Sequence, residues 1–400
     1  MTDHHARILG DDEQRGAVEL FRSALHAPPL TDEEWASARD VECAGRRHGV
    51  TDGDTGALIG TAWAWDTALT VPGGGVPLGA VTEVGVRADR TRRGVLSELM
   101  RAQLTDMAER GVVTAGLHAS EATIYGRFGY GVGALARDYT VETSRAQLRP
   151  EAPAGGRVEI RDLETVIDLA SQAYPAMATR PGMLARPAEW WGMLRAHVAR
   201  RAEGRVTAVT HEGKDGIDGF AVYSVDRPKP GSATLKLVDL HTATIDAFAG
   251  LWRYLLSVDL IGEITATNRP VDEPLELLLA DPRAVSTTAR FDDLWLRLVD
   301  VPEALAVRAY QGDPLTVEVT DRLLPANTGS YLVGPDGVER TDRAPDLRLD
   351  VAALAMIHLG AWRPSQLVDT GRAQALTTRA ASRADRLFST PTAPWCGTFF

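Results

Sequence analysis

Ala80–Gly131 reads AVTEVGVRADRTRRGVLSELMRAQLTDMAERGVVTAGLHASEATIYGRFGYG, and its pattern decides the fold. Val81, Glu83 and Gly85 alternate with Thr82, Val84 and Val86, which predicts an extended strand. Gly85 inside that strand marks a bulge, or a place where another backbone or a ligand comes close. Arg87 to Arg93 is a polar, arginine-rich connection. Leu96, Leu99, Met100, Leu104 and Met107 then recur at helical spacing, and Gly111 is a stop signal. Val112 to Leu117 is the next buried strand, and Ser120 is placed to cap a short helix carrying Tyr125.

The turn Arg92-Arg93-Gly94-Val95-Leu96-Ser97 runs straight into the helix. The first turn of a helix has N–H groups without internal partners, and the helix dipole adds partial positive charge there. Gly94 removes a side chain where a diphosphate would approach, and Arg92 and Arg93 add charge. A solvated arginine-rich loop shows the same local pattern, so the residues around it carry the distinction.

The loop Thr91–Leu96 resembles the acyl-CoA loop of GNAT acetyltransferases, Gln/Arg-x-x-Gly-x-Gly/Ala, and departs from it at the first and last positions. LHASEATIYGRFGYG, Leu117 to Gly131, is more specific. Together with the length of 400 residues and the ending Phe-Phe it resembles the Eis (enhanced intracellular survival) branch of GNAT enzymes. In that branch the loop also ends in Arg-Arg-Gly-x-Leu. The resemblance continues through FDDLWLRLVDVPEALAVRAY, Phe291 to Tyr310, and HLGAWRPSQL, His358 to Leu367, and is thinnest between about Glu151 and Val285. It implies an α+β chain of tandem GNAT folds, with mixed central sheets flanked by helices, plus a C-terminal sterol-carrier-protein-like α/β domain. The expected divisions are residues 1–150, 151–297 and 298–400.

Composition bounds the rest. This length predicts two or three domains. With 44% hydrophobic and 24% charged residues the chain is ordinary for a globular protein. A formal net charge of −11 argues against a nucleic-acid partner and suits a cationic substrate. Cys43 and Cys396 have no metal spacing, and two free thiols in a reducing cytosol are expected over one disulfide. The N-terminal segment lacks an apolar signal core, and no run is long enough to span a membrane.

Gln14 to His26 carries Val18, Leu20, Phe21 and Leu25 as an amphipathic helix, and Thr31 with Glu34 makes a capping box before Trp35. Phe21 and Trp35 read equally as core or as the roof of an acceptor pocket. Leu58 to Leu69 is a strand with Trp63 and Trp65 on one side, joined by a Pro/Gly-rich turn at Val71–Gly79 to the Val81 strand. Ala134 to Val141 reads as a strand, and Arg149 to Gly156 as a linker. A second unit follows: a helix with Trp190 and Trp191, a hairpin over Arg205–Tyr223, a strand at Leu235–Leu240, a helix at Thr244–Val258, and part of a strand at Glu276–Leu279. It has no second Arg-Arg-Gly loop, so no second acetyl-CoA site is expected there. The third unit shows a helix beginning at Pro302, strands at 316–319, 330–333 and 347–350, and a helix at Val351–Leu359.

The tail APWCGTFF puts three aromatics in the last six residues, and such an end packs on something. The resemblance gives it a sharper role: the terminal carboxylate, here on Phe400, is the general base. It makes Tyr125 the proton donor to the leaving thiolate. It assigns acetyl-CoA contacts to Val84, Gly85, Val86, Arg92, Arg93, Gly94, Val95, Leu96, Ser97, Ser120 and Glu121. Phe21, Trp35, Glu83 and Phe399 fall to the acceptor, with Phe399 standing where a penultimate glutamate occurs in the best-known branch. Glu83 has two readings, an acidic wall for a cation or a solvated strand residue, and His118 reads as a hydrogen-bonded core histidine more readily than as a base. The expected enzyme acetylates aminoglycosides or polyamines, needs no metal, and is a cytoplasmic hexamer built as a trimer of dimers. Acetylation of protein lysines, or a non-enzymatic carrier of apolar ligands, are the alternatives.

Overall fold

The structure is a computed structural model that describes residues 5–201, 205–229 and 232–400. It holds three sheets in two compact units, one of Met1–Ala134, Leu294–Pro391 and Phe399–Phe400, the other of Leu135–Asp293 and Thr392–Thr398. Among the described residues no helix is long and apolar enough to cross a membrane.

The first unit contains a seven-stranded sheet in the order Ala6–Ile8, Arg46–Thr51, Leu58–Val71, Gly74–Val86, Thr114–Leu117, Trp295–Leu298 and Gly131–Val132. Gly74–Val86 and Thr114–Leu117 are parallel and are linked by the helix Val95–Glu109. That helix buries Leu99, Met100, Leu104 and Met107, four of the five residues its spacing predicts; Val95 is buried with them, and Leu96 is half-buried. The helices Gln14–Ala24 and Asp32–Ala44 follow expectation, and Thr31 and Glu34 form the capping box.

The same unit contains a five-stranded sheet, Gly337–Arg340, Gly329–Gly334, Leu315–Thr320, Leu347–Asp350 and Ala373–Ala375. Its helix Val351–His358 packs on Gly131–Val132 so closely that a Cβ on Gly131 would lie 2.2 Å from the Ala352 carbonyl oxygen. Fully buried Arg297 pairs with Asp321 at 2.7 Å, tying the first sheet to this layer.

The second unit has a seven-stranded sheet in the order Val285–Asp292, Leu135–Glu142, Glu263–Pro270, Ser232–Thr242, Gly216–Lys229, Arg205–Gly213 and Arg157–Arg161. Ser232–Thr242 and Glu263–Pro270 are parallel, linked by the helix Ile245–Leu256 that Thr244 caps. This repeats the strand–helix–strand order of the first unit.

Three local expectations are corrected. The hairpin turn is only Pro72-Gly73, and the strand already begins at Gly74, so Pro77 lies inside it. Of Glu276–Leu279 only Leu279 is extended, in an isolated antiparallel bridge to Leu148; Leu275–Leu278 is a helical turn whose Leu275 and Leu278, three apart, are buried. Ser120 does not cap the Tyr125 helix, which runs Ala122–Tyr125 with Glu121 at its N-cap.

Candidate active site

The first sheet opens where its two parallel strands part. Pairing between Gly74–Val86 and Thr114–Leu117 ends at Ala80 opposite Gly116. Just beyond, the outer ladder slips: Trp63 faces Thr82 but Thr61 faces Gly85, so one extra residue bulges. Glu83 sits in that bulge with φ 51°, a strained conformation for a residue with a side chain. Gly85 follows because Phe21 comes close: a Cβ there would lie 3.1 Å from Phe21 Cα. Gly85 lets the helix with Phe21 come this close to the strand.

The mouth of the gap suits a diphosphate. Gly94 is the N-cap of Val95–Glu109 with φ 88°, and a Cβ on it would meet nothing within 4 Å. It offers no capping side chain, so the first amides of the helix face outward. Arg87 and Arg90 are held by Asp89 and Asp52, whereas Arg92 and Arg93 are exposed and pair with no carboxylate among the described residues. The arginine run thus divides into two structural members and two free cations beside an uncapped helix start.

The interior of the gap is apolar. Tyr125 is buried in one cluster with Leu117, Phe128, Tyr130 and Trp295, and Val84, Leu96 and Ile124 pack against it. Its ring stands edge-on to Tyr130 at 5.9 Å. Burial, with the negative charge of Glu121 beside it, pushes the Tyr125 phenol up to about 12. It is therefore a protonated donor at neutral pH. The hydroxyl of Tyr130 and the indole N–H of Trp65 are buried with no hydrogen-bond partner among the described residues.

Phe400 lies at this gap. Its ring is 4.6 Å from His118, the residue after Thr114–Leu117, and 6.1 Å edge-on from Trp65. Glu83 has a tighter neighbour than expected: buried Arg47 donates to its carboxylate at 2.5 Å and to Gln14 at 2.8 Å. Trp35 is half-buried on Asp32–Ala44, which packs on the helix of Phe21. Ser120 is exposed, and Phe399 is half-buried.

Comparison with known proteins places this arrangement. Residues 5–133 and 182–298 each match an acetyltransferase (GNAT) domain family, and 301–397 match the sterol carrier protein domain. The N-acetyltransferase Eis of Mycobacterium tuberculosis is 34% identical over 353 residues, covering 83% of both chains. An uncharacterized N-acetyltransferase of Streptomyces coelicolor is 36% identical over 97% of this chain and 98% of its own. The crystal structure of Eis1 from Mycobacterium abscessus superposes with a TM-score of 0.90 over the whole of both chains, at 36% identity. The chain belongs to the Eis family of GNAT N-acetyltransferases. It is thus an acetyltransferase, with acetyl-CoA as the co-substrate the family implies.

Within this Eis-family chain, sequence reasoning missed three contributors to the gap. Arg47 lies 36 residues from Glu83, so no local pattern links them. Trp295–Leu298, paired with Thr114–Leu117, forms part of the wall from far downstream. Trp65 was visible only as one of two indoles on one strand face, and its contact with the chain's last ring has no signal in spacing.

Proposed function

We propose that this chain acetylates a primary amine of a cationic small molecule, an aminoglycoside or a polyamine, by direct attack in a ternary complex. The observation that carries the reading is the placement of Phe400 against Trp65 and His118, in the unit that also holds Tyr125 and the Gly94 turn. When bound, acetyl-CoA supplies the acetyl group as an activated thioester.

The chain's own groups then divide the work. Amides of Gly94, Val95, Leu96 and Ser97, with Arg92 and Arg93, hold the diphosphate. Val84, Gly85 and Val86 present backbone amides to the carbonyl oxygen as charge develops on it. Ser120 and Glu121 border the thioester end. An ammonium must lose a proton before it attacks, and the Phe400 α-carboxylate takes it. Tyr125 gives its proton to the departing sulfur, and the second proton, shed by the nitrogen after attack, restores the phenol, so a neutral amide and a free thiol leave and the proton on Phe400 passes to solvent. Phe21, Trp35, Glu83 and Phe399 surround the acceptor. Arg47 offsets the charge of Glu83, so the overall charge of −11 supplies much of the attraction for a cation. Active chains assemble as cytoplasmic hexamers, trimers of dimers, with work divided among residues 1–150, 151–297 and 298–400.

The test is a panel of aminoglycosides, polyamines and lysine peptides, with free thiol as readout and no C-terminal tag on the protein. Turnover of the small polycations above the peptides is expected. Turnover of peptides alone would move the reading to protein lysines, and absence of acetyl-CoA binding by calorimetry would move it to a carrier.

A further inference from the structure

The sheet of the second unit opens as the first one does. Parallel pairing of Ser232–Thr242 with Glu263–Pro270 runs from Thr234–Glu263 to Leu237–Ala266 and stops. Immediately beyond, Tyr223 faces Leu237 but Val222 faces Asp239, again one extra residue. The corresponding opening in the first sheet is the proposed thioester gap. Here the two strands grip residues of the same chain's tail. Trp395 stacks on His241 of one strand at 5.1 Å and donates its indole N–H to the Asn268 carbonyl of the other at 2.9 Å. Its backbone N–H donates to the Pro181 oxygen at 2.9 Å, and Cys396 N–H to Asp293 at 2.8 Å.

Arg186 lies at the centre of this opening, its side chain 1% exposed. Nη1 pairs with Asp239 at 2.7 Å. Nη2 donates to the Gly397 carbonyl at 2.7 Å, and Nε to Thr398 Oγ1 at 3.2 Å. The guanidinium lies over Trp190, 3.8 Å from its ring centre. Nη2 also meets the sheet, His241 Nε2 at 2.9 Å and Asp239 Oδ1 at 3.4 Å, while Nε donates to the tail. A buried guanidinium with donors facing an empty groove is unfavourable, so the tail completes the site.

We propose that the splayed sheet of the second GNAT-like unit is a receptor for the chain's own segment Thr392–Thr398, with Arg186 as its latch. The unit keeps the opening of an acetyltransferase sheet and uses it to hold a peptide two residues before the chain ends. Arg186 is a positioning residue: it acts on turnover through Phe400. The latch stands independently of the catalytic reading; only its effect on turnover rests on that reading.

The experiment compares full-length protein with its Arg186→Met and Trp395→Ala variants. Carboxypeptidase release of Phe400 and Phe399 is followed by mass spectrometry, with a thermal melt to establish folding. Release at least tenfold faster than in the parent is expected in both, with kcat reduced and KM for acetyl-CoA unchanged. Trp395→Ala leaves the Arg186–Asp239 pair intact, so it decides the matter alone if Arg186→Met does not fold. Release at the parental rate from a folded variant overturns the latch. Fast release with parental kcat supports the latch and refutes Phe400 as the base.

Discussion

Gly94→Ala separates the cofactor role of the turn from its role in the fold. Gly94 has φ 88°, and a methyl group there would meet nothing within 4 Å. The substitution therefore introduces no clash, only the cost of a left-handed alanine, about 1 kcal/mol. Gly111, just past the other end of the same helix, has φ 74° and the same open surroundings. Gly111→Ala should lose the same stability, a fall in Tm of about 2–4 °C in each case. The cofactor distinguishes them. A methyl group on residue 94 intrudes where the diphosphate approaches and removes one charge-assisted amide contact, worth about 1.5–3 kcal/mol. Acetyl-CoA should then bind roughly 10- to 150-fold more weakly, while Gly111→Ala binds it as the parent does. Calorimetric titration of both variants reads this directly. Equal affinity in the two would refute the assignment of the diphosphate to this turn.

Arg92→Ala and Arg93→Ala should change stability by less than about 0.5 kcal/mol, since neither cation is paired. Each should raise KM for acetyl-CoA about tenfold and flatten its dependence on salt. Tyr125→Phe should fold normally and lower kcat by about 100-fold. With the phenol held protonated to about 12, the parent should show no alkaline loss of kcat from this group below about pH 11. Burial holds His48 at about 4, and burial with the Arg308 charge holds His358 at about 3, both lowered from 6.5. Each binds its proton more readily unfolded, so stability is full above pH 6.5 and falls as pH drops toward the folded values. Denaturant titrations at pH 7.5 and 5 should differ by about 2 kcal/mol for each histidine.

Sequence reading reached the parts governed by local pattern. The Gly94 turn, the helix behind it and the irregularity at Gly85 follow from steric rules over a few residues. Thr31 with Glu34 was legible for the same reason. Glu276–Leu279 was not, because a short leucine-rich stretch fits a strand or a helical turn equally, and here Pro274 at the N-cap starts a turn. Contacts set by the folded chain were beyond reach. Trp295–Leu298 enters a sheet formed mostly from residues before 135. Arg47 takes the carboxylate of Glu83, and Arg186 takes the tail, through side chains that alone read as surface charges. Phe400 meets Trp65 and His118, residues far from it in sequence, which is why resemblance and not spacing suggested its role.

The central claim is that the last carboxylate of the chain removes the acceptor's proton. Semisynthetic protein ending in a Phe400 carboxamide keeps every side chain and removes only that charge. With an amine accepted by the parent, its kcat should fall by at least about 100-fold while acetyl-CoA affinity stays the same. Turnover at the parental rate by the amide would contradict the account.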